Sequence, residues 1–307
     1  MPVLSVVLAA ALATAPACVE PPPDPTNTYD AAHTYDKLVR TYPDIRIASD
    51  ALPPGVSKTA DLVYAQYGTR CLKLDLYRPP GGRLPVVVLV HGGGWKAGFR
   101  AEFVPMALRL AQHGYAAVTV SYRLSGEARY PAAVRDVQAA VGWVREHAAA
   151  YGLDPRRIAL AGGSAGGQIA SLAGLTGTGE GVKAIINIDG LSDFTSELAL
   201  QYEDDPRKNP SAAGAWFGGR YAEQPALWRA ASPIRHVRPG MPPILFIGSG
   251  QPRFSAGREE MMARMAAAGV VSDKVILPDT PHSFWLFDPW LQTTVEASVA
   301  FLHRNLP

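Results

Sequence analysis

The run Ile158-Ala159-Leu160-Ala161, followed at once by Gly162-Gly163-Ser164-Ala165-Gly166, constrains this chain more than any other stretch. A short apolar segment that reads as a buried strand gives way to the helical stretch Gly167 to Leu175. Reversing from strand to helix over so few residues forces unusual backbone angles on the middle residue, so its neighbours must be small. That middle residue is Ser164. Such a turn holds it exposed above the end of a sheet, at a helix N-terminus that favours developing negative charge.

The rest of the chain supplies the sheet. Leu62 to Tyr67 and Cys71 to Tyr77 flank Gly68-Thr69-Arg70 and read as a hairpin. Pro85 to Val90 and Ala116 to Tyr122 are apolar, β-branched runs of the kind buried on both faces. Val182 to Ile188, Pro243 to Ile247 and Lys274 to Leu277 continue the series. Helical periodicity covers Phe103 to His113, Pro131 to Tyr151 (a proline at its start, Gly152 at its end) and Leu291 to Asn305; Tyr29 to Tyr42 reads as a short helix at the domain edge. Strands alternating with crossover-length helices imply an α/β fold, a mostly parallel sheet with helices on both faces and function at the carboxyl ends of the strands. Asp193 to Arg238 breaks the rhythm after the sixth strand and reads as an insertion. Its aromatics Trp216, Phe217, Tyr221 and Trp228 either wall the site or pack the insertion onto the body.

Only the beginning of the chain departs from a single catalytic domain over residues 29–307. Val3 to Ala13 has the length of a signal-peptide apolar core, and Ala15-Pro16-Ala17 gives a small-x-small cleavage pattern, so residues 1–17 are expected to be a signal peptide and the protein secreted or periplasmic. No Lys or Arg precedes that run. Residues 18–28, rich in proline, are expected to be a linker. Cys18 and Cys71 are the two cysteines. Cys71 is read as a small apolar strand residue in preference to a disulfide partner, and Cys18 as a possible lipid attachment point. A net charge of +2 without a Lys/Arg cluster gives no reason to expect a nucleic-acid partner. No His/Cys clustering with metal-ligand spacing and no dinucleotide fingerprint is found, so neither metal nor cofactor is expected.

A serine nucleophile needs a base, an acid and an oxyanion site. His91-Gly92-Gly93-Gly94-Trp95 follows the strand Pro85 to Val90. Glycines there free backbone N–H groups to face a tetrahedral oxyanion, so Gly93, Gly94 and Ala165 are the expected oxyanion hole. His91 is read as structural. His236 lies in the insertion and His303 in the terminal helix, whereas His282 stands in the loop after the last strand, where the base belongs. The acid usually follows the strand Pro243 to Ile247, but Gly248-Ser249-Gly250-Gln251-Pro252-Arg253-Phe254 holds no carboxylate. Asp279, three residues before His282, is therefore placed first; then come Asp193 and Asp189 after the preceding strand, and then Glu203, Asp204 and Asp205 in the insertion. A dyad without an acid is the remaining alternative. Trp95 and Trp285 are the expected substrate-binding aromatics, with Phe284 and Trp290 as further stacking candidates.

Leu74-Asp75-Leu76-Tyr77-Arg78-Pro79, His91-Gly92-Gly93-Gly94-Trp95, Ser121-Tyr122-Arg123-Leu124, Asp154-Pro155-Arg156-Arg157-Ile158 and Gly162 to Gly167 together resemble the bacterial feruloyl and acetyl-xylan esterase-like branch of the α/β-hydrolases, related to the hormone-sensitive-lipase group. Pro252-Arg253-Phe254, Gly257-Arg258 and Pro278 to His282 resemble a subgroup that de-esterifies plant cell-wall polysaccharides. The resemblance implies an α/β-hydrolase fold and a small ester or acylated polysaccharide (xylan or pectin) as substrate. A feruloyl ester or a general small ester is the alternative. The glycine loop ending in Trp95 also resembles arylformamidases, and the missing acid leaves a non-catalytic binding module as the reading from another class.

Overall fold

The computed structural model describes residues 18–177 and 181–306. The segment expected to be a signal peptide lies outside the described residues. The eight strands of the main sheet are β1 (Ser57–Tyr67), β2 (Arg70–Arg78), β3 (Leu84–Val90), β4 (Ala116–Val120), β5 (Leu153–Gly163), β6 (Val182–Ile188), β7 (Ile244–Ser249) and β8 (Ser272–Leu277). They lie in the order β1-β2-β4-β3-β5-β6-β7-β8. β1 and β2 form the expected hairpin, closed by Gly68 and Thr69 between the paired Tyr67 and Arg70. β2 runs antiparallel to β4, and every later pairing is parallel.

β3 shows why the sheet is double-faced. Val86, Val88 and Val90 pack with Leu160 and with Val134, Val137 and Val144 on one side. Val87 and Leu89 pack with Met106, Leu110, Val295 and Phe301 on the other. A strand alternates its side chains across the sheet, so an unbroken apolar run needs a helix layer on each face. The helices are α1 (Ala31–Leu38), α2 (Val104–Gln112), α3 (Ala132–Glu146), α4 (Ala148–Tyr151), α5 (Ala165–Thr176), α6 (Glu197–Glu203), α7 (Ala212–Phe217), α8 (Pro225–Ala230), α9 (Arg258–Ala267) and α10 (Trp290–Asn305). The single helix expected over Pro131 to Tyr151 is interrupted at His147 and stops at Gly152, whose left-handed φ of 64° a side chain would oppose.

The insertion between β6 and β7 holds α6, α7 and α8. Its aromatics face inward. Trp216, Phe217 and Trp228 are buried with Phe194 and Trp95 in one cluster, so of the two readings of these rings the packing one holds.

The N-terminal segment departs from expectation. Cys18 forms a disulfide with Cys71 of β2, which corrects the reading of Cys71 as a plain apolar residue. The bond also occupies the sulfur that a lipid thioether would need. Val19 extends the hairpin edge, its N–H donating to the Thr69 carbonyl at 2.8 Å and its carbonyl accepting from Cys71 N–H at 2.9 Å. Glu20 is buried in an ion pair with Arg100, which also binds Asp75 at 3.1 Å. Residues 18–20 are thus docked rather than linker, while Pro21 to Asn27 carry no helix or strand. Further on, the Tyr29 hydroxyl is buried against the glycine loop after β3: a Cβ on Gly92 would clash with it.

Candidate active site

β5 ends at Gly163, and α5 begins at Ala165. Ser164 between them takes φ 55° and ψ −123°, outside the regions a side-chain-bearing residue normally occupies. The surroundings hold it there. Ser164 N–H donates to the Ile188 carbonyl of β6 at 2.8 Å. A Cβ on Gly166 would lie 2.1 Å from the Val90 carbonyl oxygen, and one on Gly162 would lie 2.4 Å from the Gly166 carbonyl oxygen. The glycines are therefore required by backbone contact on both sides of the turn, as the sequence pattern implied.

His282 sits between β8 and a 3₁₀ turn, Phe284–Leu286. Its Nε2 lies 2.8 Å from Ser164 Oγ. The Phe254 ring stacks flat on the imidazole with centroids 3.3 Å apart, and Trp285 meets it edge-on at 5.3 Å. This burial holds the imidazole pKa below its ordinary value, against an opposing pull from a carboxylate that favours the charged form.

That carboxylate is Asp189, not Asp279. Asp189 follows β6, is 4% exposed, and places Oδ2 3.0 Å from His282 Nδ1. Ser249, at the end of β7 where a carboxylate was looked for, donates twice to it instead: N–H to Oδ1 at 2.8 Å and Oγ–H to Oδ2 at 2.6 Å. Parallel β6 and β7 lie side by side, so an acid at the tip of one and a donor at the tip of the other occupy the same place. Asp279 is exposed on the turn after β8. Asp193 Oδ1 accepts from the Thr195 N–H and hydroxyl, both at 2.7 Å. Asp204 and Asp205 pair with Arg220 and Arg207. An acid is present, which removes the observation that motivated a dyad or an inactive module.

A cavity of about 50 Å³ opens over Ser164. Gly94, Trp95, Ala165, Asp189, Leu191, Glu203, Ala212, Arg253 and Phe254 line it. Of the expected oxyanion donors, Gly94 and Ala165 line this cavity, and Gly93 and Gly94 both line a second one on the Tyr29 side of the loop. The Trp95 indole is buried. It stacks on Trp216 at 5.1 Å, and its Nε1–H donates to Gln168 Oε1 at 3.0 Å. Trp285 is buried too, its ring under the elbow where a Cβ on Gly163 would lie 2.6 Å away. Trp95 thus lines the cavity with its indole packed against Trp216, whereas Trp285, expected to bind substrate, is absent from the lining and supports the base from behind. Phe284 is likewise buried, and Trp290 packs edge-on against Tyr42. Nothing in the spacing of Arg253 and Phe254 marks the stacking of Phe254 on His282.

His91 is buried, stacked on Tyr122 at 4.2 Å, with Nδ1 2.9 Å from the Gly92 carbonyl. Burial lowers its pKa to about 4, so it stays neutral and braces the loop. Among the described residues no group of three or more His, Cys, Asp or Glu is arranged to hold a metal ion.

Known proteins share this arrangement of fold and motif. The BD-FAE family model matches residues 74–252, more than half the chain. Esterase LipQ of Mycobacterium tuberculosis is 32% identical over 248 residues, covering 74% of this chain and 58% of that protein. The probable carboxylic ester hydrolase LipM of the same organism is 33% identical, covering 61% of this chain and 46% of its own. The chain therefore spans about half the length of these relatives. Among solved structures, a bacterial heroin esterase superposes with a TM-score of 0.72 at 25% identity, covering 91% of this chain and 93% of that one. An esterase of Thermogutta terrifontis with bound propionate gives 0.67 at 26% identity, covering 82% and 94%. With its eight-stranded sheet, serine elbow and glycine loop, the chain has the α/β-hydrolase fold and belongs to the BD-FAE family.

Proposed function

We propose that the chain is a serine carboxylic-ester hydrolase, and the observation that carries this is the unbroken line from Ser164 Oγ through His282 to Asp189. His282 Nε2 takes the Ser164 proton as Oγ attacks the ester carbonyl. Asp189 accepts from Nδ1–H, so the free nitrogen faces the serine, and it stabilises the imidazolium that forms. The tetrahedral oxyanion lies toward the backbone N–H groups of the Gly94 and Ala165 side of the cavity. His282 then protonates the leaving alcohol, and water, activated by the same imidazole, hydrolyses the acyl-enzyme. Relatives and structural neighbours carrying esterase names support ester chemistry over amide chemistry.

The substrate we propose is a short acyl ester, acetyl above all, on a plant cell-wall polysaccharide such as xylan or pectin. The cavity over Ser164 is small, about 50 Å³, which favours a short acyl group such as acetyl. Next to it, beyond Ser211 and Ala212, an open cleft of about 440 Å³ is lined by Arg129, Asp204, Lys208, Arg220 and Glu223, a polar surface suited to a hydroxylated alcohol. Export is part of the proposal. The apolar run at residues 3–13 and a Cys18–Cys71 disulfide both suit an oxidising compartment outside the cytoplasm.

Acetate release from acetylated xylan and acetylated pectin, beside feruloyl and p-nitrophenyl esters, tests this with wild type and Ser164→Ala. Serine-dependent acetate release from a polysaccharide is the expected result. Activity confined to small esters would reduce the reading to a general carboxylesterase, and inactivity on all esters would overturn it.

A further inference from the structure

Two side chains in the Ser164 cavity have no part in the chemistry above. Glu203 is the last residue of α6, and Arg253 stands in the 3₁₀ turn Pro252–Ser255 after β7. Glu203 is 3% exposed, yet it lines the cavity. Its Oε1 accepts from Arg253 Nε at 2.9 Å and lies 2.7 Å from Arg253 Nη2. Both donors converge on one oxygen. Among the described residues Oε2 is left without a hydrogen-bond donor and is not sealed from solvent, and Arg253 Nη1 is left without an acceptor.

A pair serving only to brace α6 against the turn would use the parallel two-oxygen arrangement that carboxylate and guanidinium favour. Here half of each group's capacity is left over at the wall of the cavity, on a buried carboxylate and on an Arg253 side chain that is 36% exposed. The pair also stands on a definite side of the ester. His282 delivers the proton to the leaving alcohol; Phe254 covers the His282 ring, and the Arg253 guanidinium lies 5.1 Å from the Phe254 centroid and 5.7 Å from that of Tyr202. The unused donor and acceptor therefore lie on the His282 side of the Ser164 cavity, the side from which the alcohol leaves.

We propose that Glu203 Oε2 and Arg253 Nη1 bind a hydroxyl group of the substrate's alcohol portion, next to the ester oxygen. The hydroxyl donates to Oε2 and accepts from Nη1. This rests on the ester-hydrolase reading and deepens it, because it makes the enzyme select esters of polyhydroxylated alcohols over those of simple ones.

The test compares kcat/KM for a monoacetylated methyl xyloside, the same compound lacking the hydroxyl vicinal to the ester, and ethyl acetate. Wild type, Glu203→Gln, Arg253→Lys and Ser164→Ala are measured on each. Losing a hydrogen bond to a charged group is expected to cost wild type about tenfold or more on deoxygenation, and that cost is expected to shrink to below about threefold in Glu203→Gln. Arg253→Lys is read the same way. The wild-type comparison stands even where a variant fails to fold. Equal deoxygenation costs in wild type and variants, or no cost in wild type, would overturn the hydroxyl site while serine-dependent hydrolysis of ethyl acetate leaves the parent reading intact. Absence of serine-dependent hydrolysis of every ester would overturn both.

Discussion

Asp189 Oδ2 lies 3.0 Å from His282 Nδ1, although 93 residues separate the two in the chain. The carboxylate leaves the tip of β6 rather than β7, and Ser249 at the tip of β7 holds it with two hydrogen bonds. This pairing decides which carboxylate matters. Asp189→Asn preserves shape, and asparagine tolerates the left-handed φ of 49° found here. It removes the charge that orients and stabilises the imidazolium, so kcat on p-nitrophenyl acetate should fall by about 10⁴. Asp279→Asn should stay within about twofold of wild type. The opposite ranking of the two variants would contradict the assignment.

The pH profile follows from the burial of His282. Phe254, Trp285 and the cavity wall strip water from the imidazole, which disfavours its charged form and lowers its pKa below the ordinary 6.5; Asp189 limits the drop. Catalysis needs the neutral base, so activity should persist as pH falls through 6.5 and be lost only at lower pH. A kcat/KM profile with an acid-limb pKa below 6.5 is expected, and one above it would show that the carboxylate outweighs burial.

At the elbow the constraint is steric. Gly166→Ala places a Cβ 2.1 Å from the Val90 carbonyl oxygen, whereas Gly82→Ala meets nothing within 4 Å. Overpacking against backbone should destabilise the first variant by about 1–3 kcal/mol or more, and the second should stay within about 0.5 kcal/mol of wild type. Urea midpoints of the two measure this directly.

The Cys18–Cys71 disulfide closes a separation of 53 residues across the β1–β2 hairpin. Replacing both cysteines with serine should cost about 2–5 kcal/mol of stability, and wild type under reductant should shift by a similar amount. No shift in the urea midpoint under reductant would mean that the N-terminal segment docks without contributing.

How far these features could be read from sequence depends on how local their causes are. Ser164 is legible because a strand, five small residues and a helix are contiguous and each demands the next. His282 is legible because only one histidine follows the last strand closely. Asp189 is not: its role depends on β6 lying beside β7, so that Ser249 can stand where a carboxylate was sought. The disulfide is hidden for a similar reason, since nothing near Cys18 states that the proline-rich segment runs back along the hairpin edge. Trp285 shows a third limit. Proximity in sequence to a catalytic histidine does not say whether a ring faces the cavity or the core, and here the ring faces the core.

The proposed function rests on Ser164, and no other residue, being a nucleophile activated by His282. A fluorophosphonate probe followed by intact-mass and peptide mass spectrometry reads this without a choice of substrate. A single phosphonyl adduct is expected on the peptide containing Ser164 in wild type, absent in Ser164→Ala and greatly slowed in His282→Ala. An unlabelled wild type, or an adduct that survives Ser164→Ala, would contradict it.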